Sequence, residues 1–173
     1  MNTSRPTLFV RCTLWMGALF AATAALAGPT EDLQQAEASY LAHDLPTTMT
    51  LLRRAASQDY PPAQARLGDM LRLAGDEAEA VEFYKKAAAK GDPAGEVGLG
   101  RAYADGAGVA KDPAKALELY RKAEQKNYGP ALDMLARAYR TGTLGLPKDP
   151  VLAKSYEDKA AAQAKKTVAE GAK

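Results

Sequence analysis

The chain is nearly devoid of the side chains that most often carry catalysis and metal chemistry: 173 residues hold one cysteine, one histidine and one tryptophan. Cys12 and Trp15 both lie in the first 27 residues, which read as a leader. Beyond them there is no thiol, which excludes a disulfide, a thiolate nucleophile, a thiolate metal site and c-type haem attachment. His43 alone excludes the common multi-histidine metal sites. No cofactor is expected. Charge of one sign is lacking as well. Lys and Arg total 23 against 21 Asp and Glu. The leader contributes Arg5 and Arg11 and no acid, so residues 28–173 balance at 21 of each. Nucleic-acid binding driven by bulk charge loses its basis. No apolar run reaches the roughly 20 residues of a comfortable membrane span.

The leader has the three parts of a secretory signal peptide. A basic start ends at Arg11, an uncharged Ala/Leu-rich run covers Thr13 to Leu26, and Ala25-Leu26-Ala27 gives a small-x-small exit before Gly28-Pro29. Cleavage after Ala27 is expected, leaving a periplasmic or secreted protein; a retained anchor is the alternative. Lipid attachment at Cys12 is disfavoured because Arg11 stands where a small residue is required.

What remains repeats. Ala63-x-x-x-Leu67-Gly68-x-x-Leu71 recurs as Gly95-x-x-x-Leu99-Gly100-x-x-Tyr103 and as Ala131-x-x-x-Leu135-Ala136-x-x-Tyr139. A second motif follows each time: Ala80 to Ala87 matches Ala116 to Ala123 and, less closely, Ala153 to Ala160. A degenerate earlier pair spans Leu33 to Ala55. Apolar and small residues recur at three and four, the signature of amphipathic helices. Asp92-Pro93, Asp112-Pro113 and Asp149-Pro150 each set a capping acid before a proline at the first helical position, with Asp44 and Asp76 at equivalent starts. Gly75, Gly91, Gly106 and Gly142 fall where helices stop. The pattern predicts helices near 31–43, 46–57, 62–74, 77–90, 93–105, 113–126, 129–141 and 150–165. Leu67, Leu99, Leu135, Phe83, Leu119 and Tyr156 are the expected interface residues. Val109 and Leu146 are expected to tuck beneath the two inserted loops.

The run Leu99-Gly100-x-x-Tyr103-x-x-Gly106-x-Gly108-Val109-x-x-Asp112-x-x-Lys115-Ala116-x-x-x-Tyr120-x-Lys122-Ala123 resembles the Sel-one-like repeat (SLR), a relative of the tetratricopeptide repeat. The fourth pair departs with Ala136 and Glu157, and the second lacks the glycine loop. The resemblance implies an all-α fold, a right-handed α/α superhelix of about four helix-turn-helix repeats. The domain plan is 1–27 signal peptide, 28–163 repeats (31–59, 60–91, 92–127, 128–163) and 164–173 basic flexible tail. It further implies a scaffold or adaptor that binds other proteins, with no shared catalytic residues to carry over.

The first helix of each pair is expected to line the concave face, by analogy with tetratricopeptide arrays. At spacing i, i+4, i+7 the exposed stripe reads Ala65-Asp69-Arg72, Val97-Arg101-Ala104 and Asp133-Arg137-Arg140. Arginine recurs there, whereas lysines are confined to second helices, loops and tail. Guanidinium forks hold carboxylates bidentately and lysine does not. Asp69, Arg72, Arg101, Asp133, Arg137 and Arg140 are therefore the candidate partner-binding residues, for an acidic segment or a C-terminus of an envelope protein. The competing account is a solvated helix face on which Asp133 and Arg137 pair with each other. Ser39, His43 and Asp44 resemble a triad in type only, since they fall at a helix end and the next cap. Eight tyrosines raise a second class, a cell-wall glycan-binding protein or small envelope hydrolase, with Tyr60 and Tyr128 as the expected exposed pair. No acid recurs in an apolar setting that would raise its pKa, so the non-enzymatic interaction module is preferred.

Overall fold

The computed structural model describes residues 28–171, so the leader and its cleavage point lie outside the described residues. Those residues form eight helices and no strand: α1 Pro29–Leu41, α2 Leu45–Ser57, α3 Pro61–Ala74, α4 Glu77–Ala89, α5 Pro93–Asp105, α6 Pro113–Gln125, α7 Gly129–Thr141 and α8 Pro150–Gly171. Their starts follow from the caps. The carboxylates of Asp44, Asp92, Asp112 and Asp149 each accept a hydrogen bond from a backbone N–H three residues on, at 2.8–3.1 Å. Asp76 occupies the equivalent position without making that bond. The stops are left-handed residues. Gly75, Gly106 and Gly142 end α3, α5 and α7, while His43, Asp59 and Asn127 adopt positive φ without being glycine. His43 is thus a helix-stop residue, which accounts for its place next to the capping Asp44.

The helices pack as four antiparallel pairs, α1/α2, α3/α4, α5/α6 and α7/α8, and each pair stacks on the next. First helices of neighbouring pairs touch (α1 with α3, α3 with α5, α5 with α7), whereas the backbones of second helices stand further apart and meet only through long side chains, as Arg53 and Glu79 do at 3.0 Å. That asymmetry bends the stack, with first helices on the inner, concave side and second helices splayed outward. The result is an all-α solenoid.

Burial is continuous along the stack. One cluster joins Leu51, Leu52, Leu67, Leu71, Val81, Tyr84 and Leu99; a second joins Val97, Tyr120 and Leu135. The interface residues differ from expectation in one respect. Leu67, Leu99 and Leu135 are buried, but Phe83, Leu119 and Tyr156 are half-buried and only rest against the clusters. The neighbouring Tyr84 and Tyr120 take the buried place because their rings drop into space left by glycine. A Cβ at Gly68 would stand 2.7 Å from Tyr84 Cε1, and one at Gly100 would stand 2.7 Å from Tyr120 Cε1. Gly98 of the next pair meets the same edge of Tyr84, so that ring is wedged where α3 and α5 approach.

The loops also need correction. Val109 packs against the first cluster. In the fourth pair it is Leu144 that rests on the second cluster, although Leu146 is half-buried to the same class. Leu144 sits at φ 58°, in the left-handed region. The last helix runs to Gly171, beyond the expected end near 165, so the stretch assigned to a flexible tail from 164 is helical as far as it is described. Ala161 to Lys166 holds only Ala, Lys and Gln, all strong helix formers, with no glycine or proline to stop it. No helix among the described residues is long and apolar enough to cross a membrane.

Candidate functional site

The concave face is built from the outer sides of α3, α5 and α7 and the tyrosines that reach it from α4 and α6. The stripe is deeper at its beginning than its spacing suggests. Ala65 and Val97 are buried, because the next first helix lies against them. Asp69, Arg72 and Arg101 are half-buried, while Asp133, Arg137 and Arg140 are exposed.

Three of these six are engaged within the fold. Asp69 accepts a hydrogen bond from the Tyr84 hydroxyl at 2.8 Å. The Arg72 guanidinium lies beside that same hydroxyl, and its Nε is buried without a partner. Arg140 pairs with Glu157 of α8. Glu157 stands at the repeat position of Tyr84 and Tyr120, so the fourth pair closes this place with a charge pair instead of a ring. Asp133 and Arg137 do not pair with each other, contrary to the i,i+4 alternative. Neither Arg72, Arg101 nor Arg137 forms an ion pair with any carboxylate of the described residues.

Two notches open between successive first helices. The notch between the second and third pairs holds about 200 Å³, bounded by Arg72, Arg101, Glu77, Asp105 and Tyr84. The notch between the third and fourth holds about 450 Å³, with Arg101, Lys111 and Arg137 facing Asp105 and Tyr120. Arg101 and Asp105 border both, so the notches form one path along the concave side.

The tyrosine hydroxyls register this electrostatic setting. Burial pushes Tyr120 up to about 12; Asp105 adds to the rise, and Arg101 and Arg137 oppose it. Burial also raises Tyr84, helped by Asp69 and opposed by Arg72. Both hydroxyls therefore stay protonated and serve as neutral donors on an arginine-lined surface. Tyr60 and Tyr128, expected as an exposed pair, are half-buried against the two clusters, in the same class as Tyr40, Tyr103, Tyr139 and Tyr156. Each occupies a helix N-cap position and rests against a cluster rather than standing clear of it. No three His, Cys, Asp or Glu side chains converge as a metal site among the described residues.

Sequence reasoning missed a second set of charged residues, inside the pairs and at the loops that join them. Asp32 is fully buried and bound by both arms of Arg54, with Nε at 2.6 Å from Oδ2. Glu96 is buried and accepts from Lys126 at 2.6 Å, and Lys126 also donates to the Gly91 carbonyl at 2.8 Å. One turn of the stack earlier, Lys90 donates to the Asp59 carbonyl at 3.0 Å and pairs with its carboxylate. Gln64 at the same junction donates to Asp59 at 3.1 Å. Asp32, Gln64 and Glu96 share one repeat position, where Leu132 is the apolar exception. That recurring polar residue was the available signal.

Comparison with known proteins agrees with this architecture. The Sel1 repeat model matches at residues 61–92, 93–128 and 129–165, covering α3 to α8; the first pair lies outside these matches. None of the curated proteins matches the chain. Among solved structures, c5321, a protective antigen of uropathogenic Escherichia coli strains displaying an SLR fold, is 31% identical with a TM-score of 0.67. The match covers 84% of this chain but only 33% of that one. A Sel1 repeat protein of Oxalobacter formigenes is 23% identical over 76% of this chain and 56% of its own, with a TM-score of 0.68. A Klebsiella pneumoniae protein described as a Sel1 repeat protein is 22% identical, with a TM-score of 0.72, and the match covers 84% of this chain and 73% of that one. The chain thus spans a third of the first relative and just over half of the second. With a repeat model matched three times over most of its length and a solenoid of stacked helix pairs, the chain belongs to the Sel1 repeat family.

Proposed function

We propose that the protein is an exported, non-enzymatic adaptor that holds a segment of a partner protein along its concave face. The family is one of protein-interaction scaffolds, which supports a protein partner. The leader in residues 1–27 supports a periplasmic or secreted location. The observation that carries the reading is the row Arg72, Arg101 and Arg137. Three arginines face one path, none is ion-paired to a carboxylate of the described residues, and buried tyrosine hydroxyls stand beside them. An arginine with no carboxylate partner among the described residues is available to one from outside, and its fork gives direction as well as charge. The partner segment is therefore acidic where it meets these residues.

The test is affinity capture from an envelope extract at low and moderate salt, with the wild type and with Arg101→Glu/Arg137→Glu. The expected result is one enriched, salt-sensitive protein that the reversed variant fails to retain while keeping its helicity. Capture that survives the reversal overturns the groove assignment.

A further inference from the structure

We infer that the notch between the third and fourth pairs is a seat for the C-terminal residue of the partner polypeptide, its carboxylate on Arg101 and Arg137 and its apolar side chain against Met134 and Leu144. This rests on the groove reading and adds to it the end of the partner and the place where it sits.

The two notches differ in a way that selects one. Around the smaller, Arg72 and Arg101 are balanced by Glu77 and Asp105. The repeat positions of Glu77 and Asp105 are filled in the fourth-pair notch by Pro113 and Thr141, so both acids are removed. The inserted loop of the third pair, absent from the second, brings in Lys111. Three cations then face the single carboxylate of Asp105, and neither Arg101, Lys111 nor Arg137 is ion-paired with a carboxylate of the described residues. The site carries an excess of positive charge that an anion would satisfy.

Size and lining specify the anion. About 450 Å³ lies within the range of about 300–1,000 Å³ typical of sites that enclose a ligand, whereas the 200 Å³ notch falls below it. Apolar Met134 and Leu144 share the wall with the cations, and Tyr120 supplies a protonated hydroxyl. In a C-terminal residue, carboxylate and side chain radiate from one Cα, so one residue meets both linings together. An internal Asp or Glu would meet the cations and leave the apolar wall empty.

The experiment uses protein expressed from the full-length sequence, titrated with N-acetyl-leucine as the minimal C-terminal residue and followed by NMR at the arginine Nε–H and methionine methyl resonances. Saturable shifts at Arg101, Arg137 and Met134 are expected. N-acetyl-leucinamide, lacking the charge, should bind at least about tenfold more weakly, and Arg137→Gln should weaken the acid by about tenfold. Arg121→Gln, on the outer side of α6, should leave the titration unchanged. Equal binding of the amide, the absence of saturable shifts, or stronger binding of N-acetyl-aspartate methylamide overturns the proposal. If one of these occurs while capture still depends on Arg101 and Arg137, the C-terminal seat falls and the groove stands. If N-acetyl-leucine binds as described but capture ignores the charge reversal, the seat stands and the wider groove falls.

Discussion

Replacing Gly98 by alanine separates packing from helix propensity, because the two act in opposite directions at this position. In the interior of α5 the substitution should gain about 0.8–1 kcal/mol of helix propensity. Crowding around the new methyl group outweighs that gain. A Cβ at residue 98 would come 2.8 Å from Tyr84 Cζ and closer still to Cε1 and Cδ1. The ring has little room to withdraw: Tyr84 is 1% exposed, its same edge lies against Gly68, and its hydroxyl is bound to Asp69. Overpacking of this kind costs about 1–3 kcal/mol. The net expectation is a loss of up to about 2 kcal/mol, or a fall of up to about 8 °C in Tm for a chain of this length. Thermal and urea unfolding followed by far-ultraviolet circular dichroism measure it. Gly129→Ala is the control, since nothing lies within 4 Å of a Cβ there; it should be neutral or stabilising by up to about 1 kcal/mol. Combining Gly98→Ala with Tyr84→Leu should recover part of the loss through non-additivity. A Gly98→Ala protein more stable than the wild type would refute the wedge between α3 and α5.

Other consequences are equally direct. Asp92→Ala should cost about 1 kcal/mol in denaturant unfolding, because its carboxylate holds the Gly95 N–H, whereas Asp76→Ala, which loses no such bond, should change stability by less than about 0.5 kcal/mol. Asp32→Ala should cost about 1–3 kcal/mol and raise amide exchange in α1 first; Arg54 keeps 41% side-chain exposure, so the freed guanidinium can turn to water. Tyr120 is held up to about 12 while an unfolded tyrosine ionises near 10, so the native state binds more protons between those values. Its contribution is complete below about pH 10 and declines as pH rises toward 12. Tyrosinate absorbance should show this group ionising late in the folded protein, and Tyr120→Phe should flatten the alkaline loss of helicity.

The fold was legible because its rules are local and repeated. Asp-Pro starts, glycine stops and a three-four apolar rhythm recur in register, and α3, α5 and α7 end where that rhythm predicts. Residues whose role depends on the neighbouring pair were harder. Periodicity places Phe83 and Tyr84 side by side without saying which goes inward; Gly68 on one helix and Gly98 on the next decide it. Ion pairs such as Asp32–Arg54 and Glu96–Lys126 join residues far apart in sequence, so their complementarity emerges only when the two helices of a pair fold against each other. The stripe was found as a set of residue types, but its division was not. Arg140 is taken by Glu157, Asp69 and Arg72 attend Tyr84, and only the spatial arrangement leaves Arg101 and Arg137 around one cavity.

The central claim is that the concave side meets the partner. A photo-crosslinking amino acid placed at Ala104, on the wall of the larger notch, and separately at Gln125, on the outer side of α6, tests it in intact cells. The account predicts one adduct from position 104 that disappears when Arg101 and Arg137 are reversed to Glu, and no corresponding adduct from 125. An adduct from 125 alone, or one from 104 indifferent to the reversal, would contradict it.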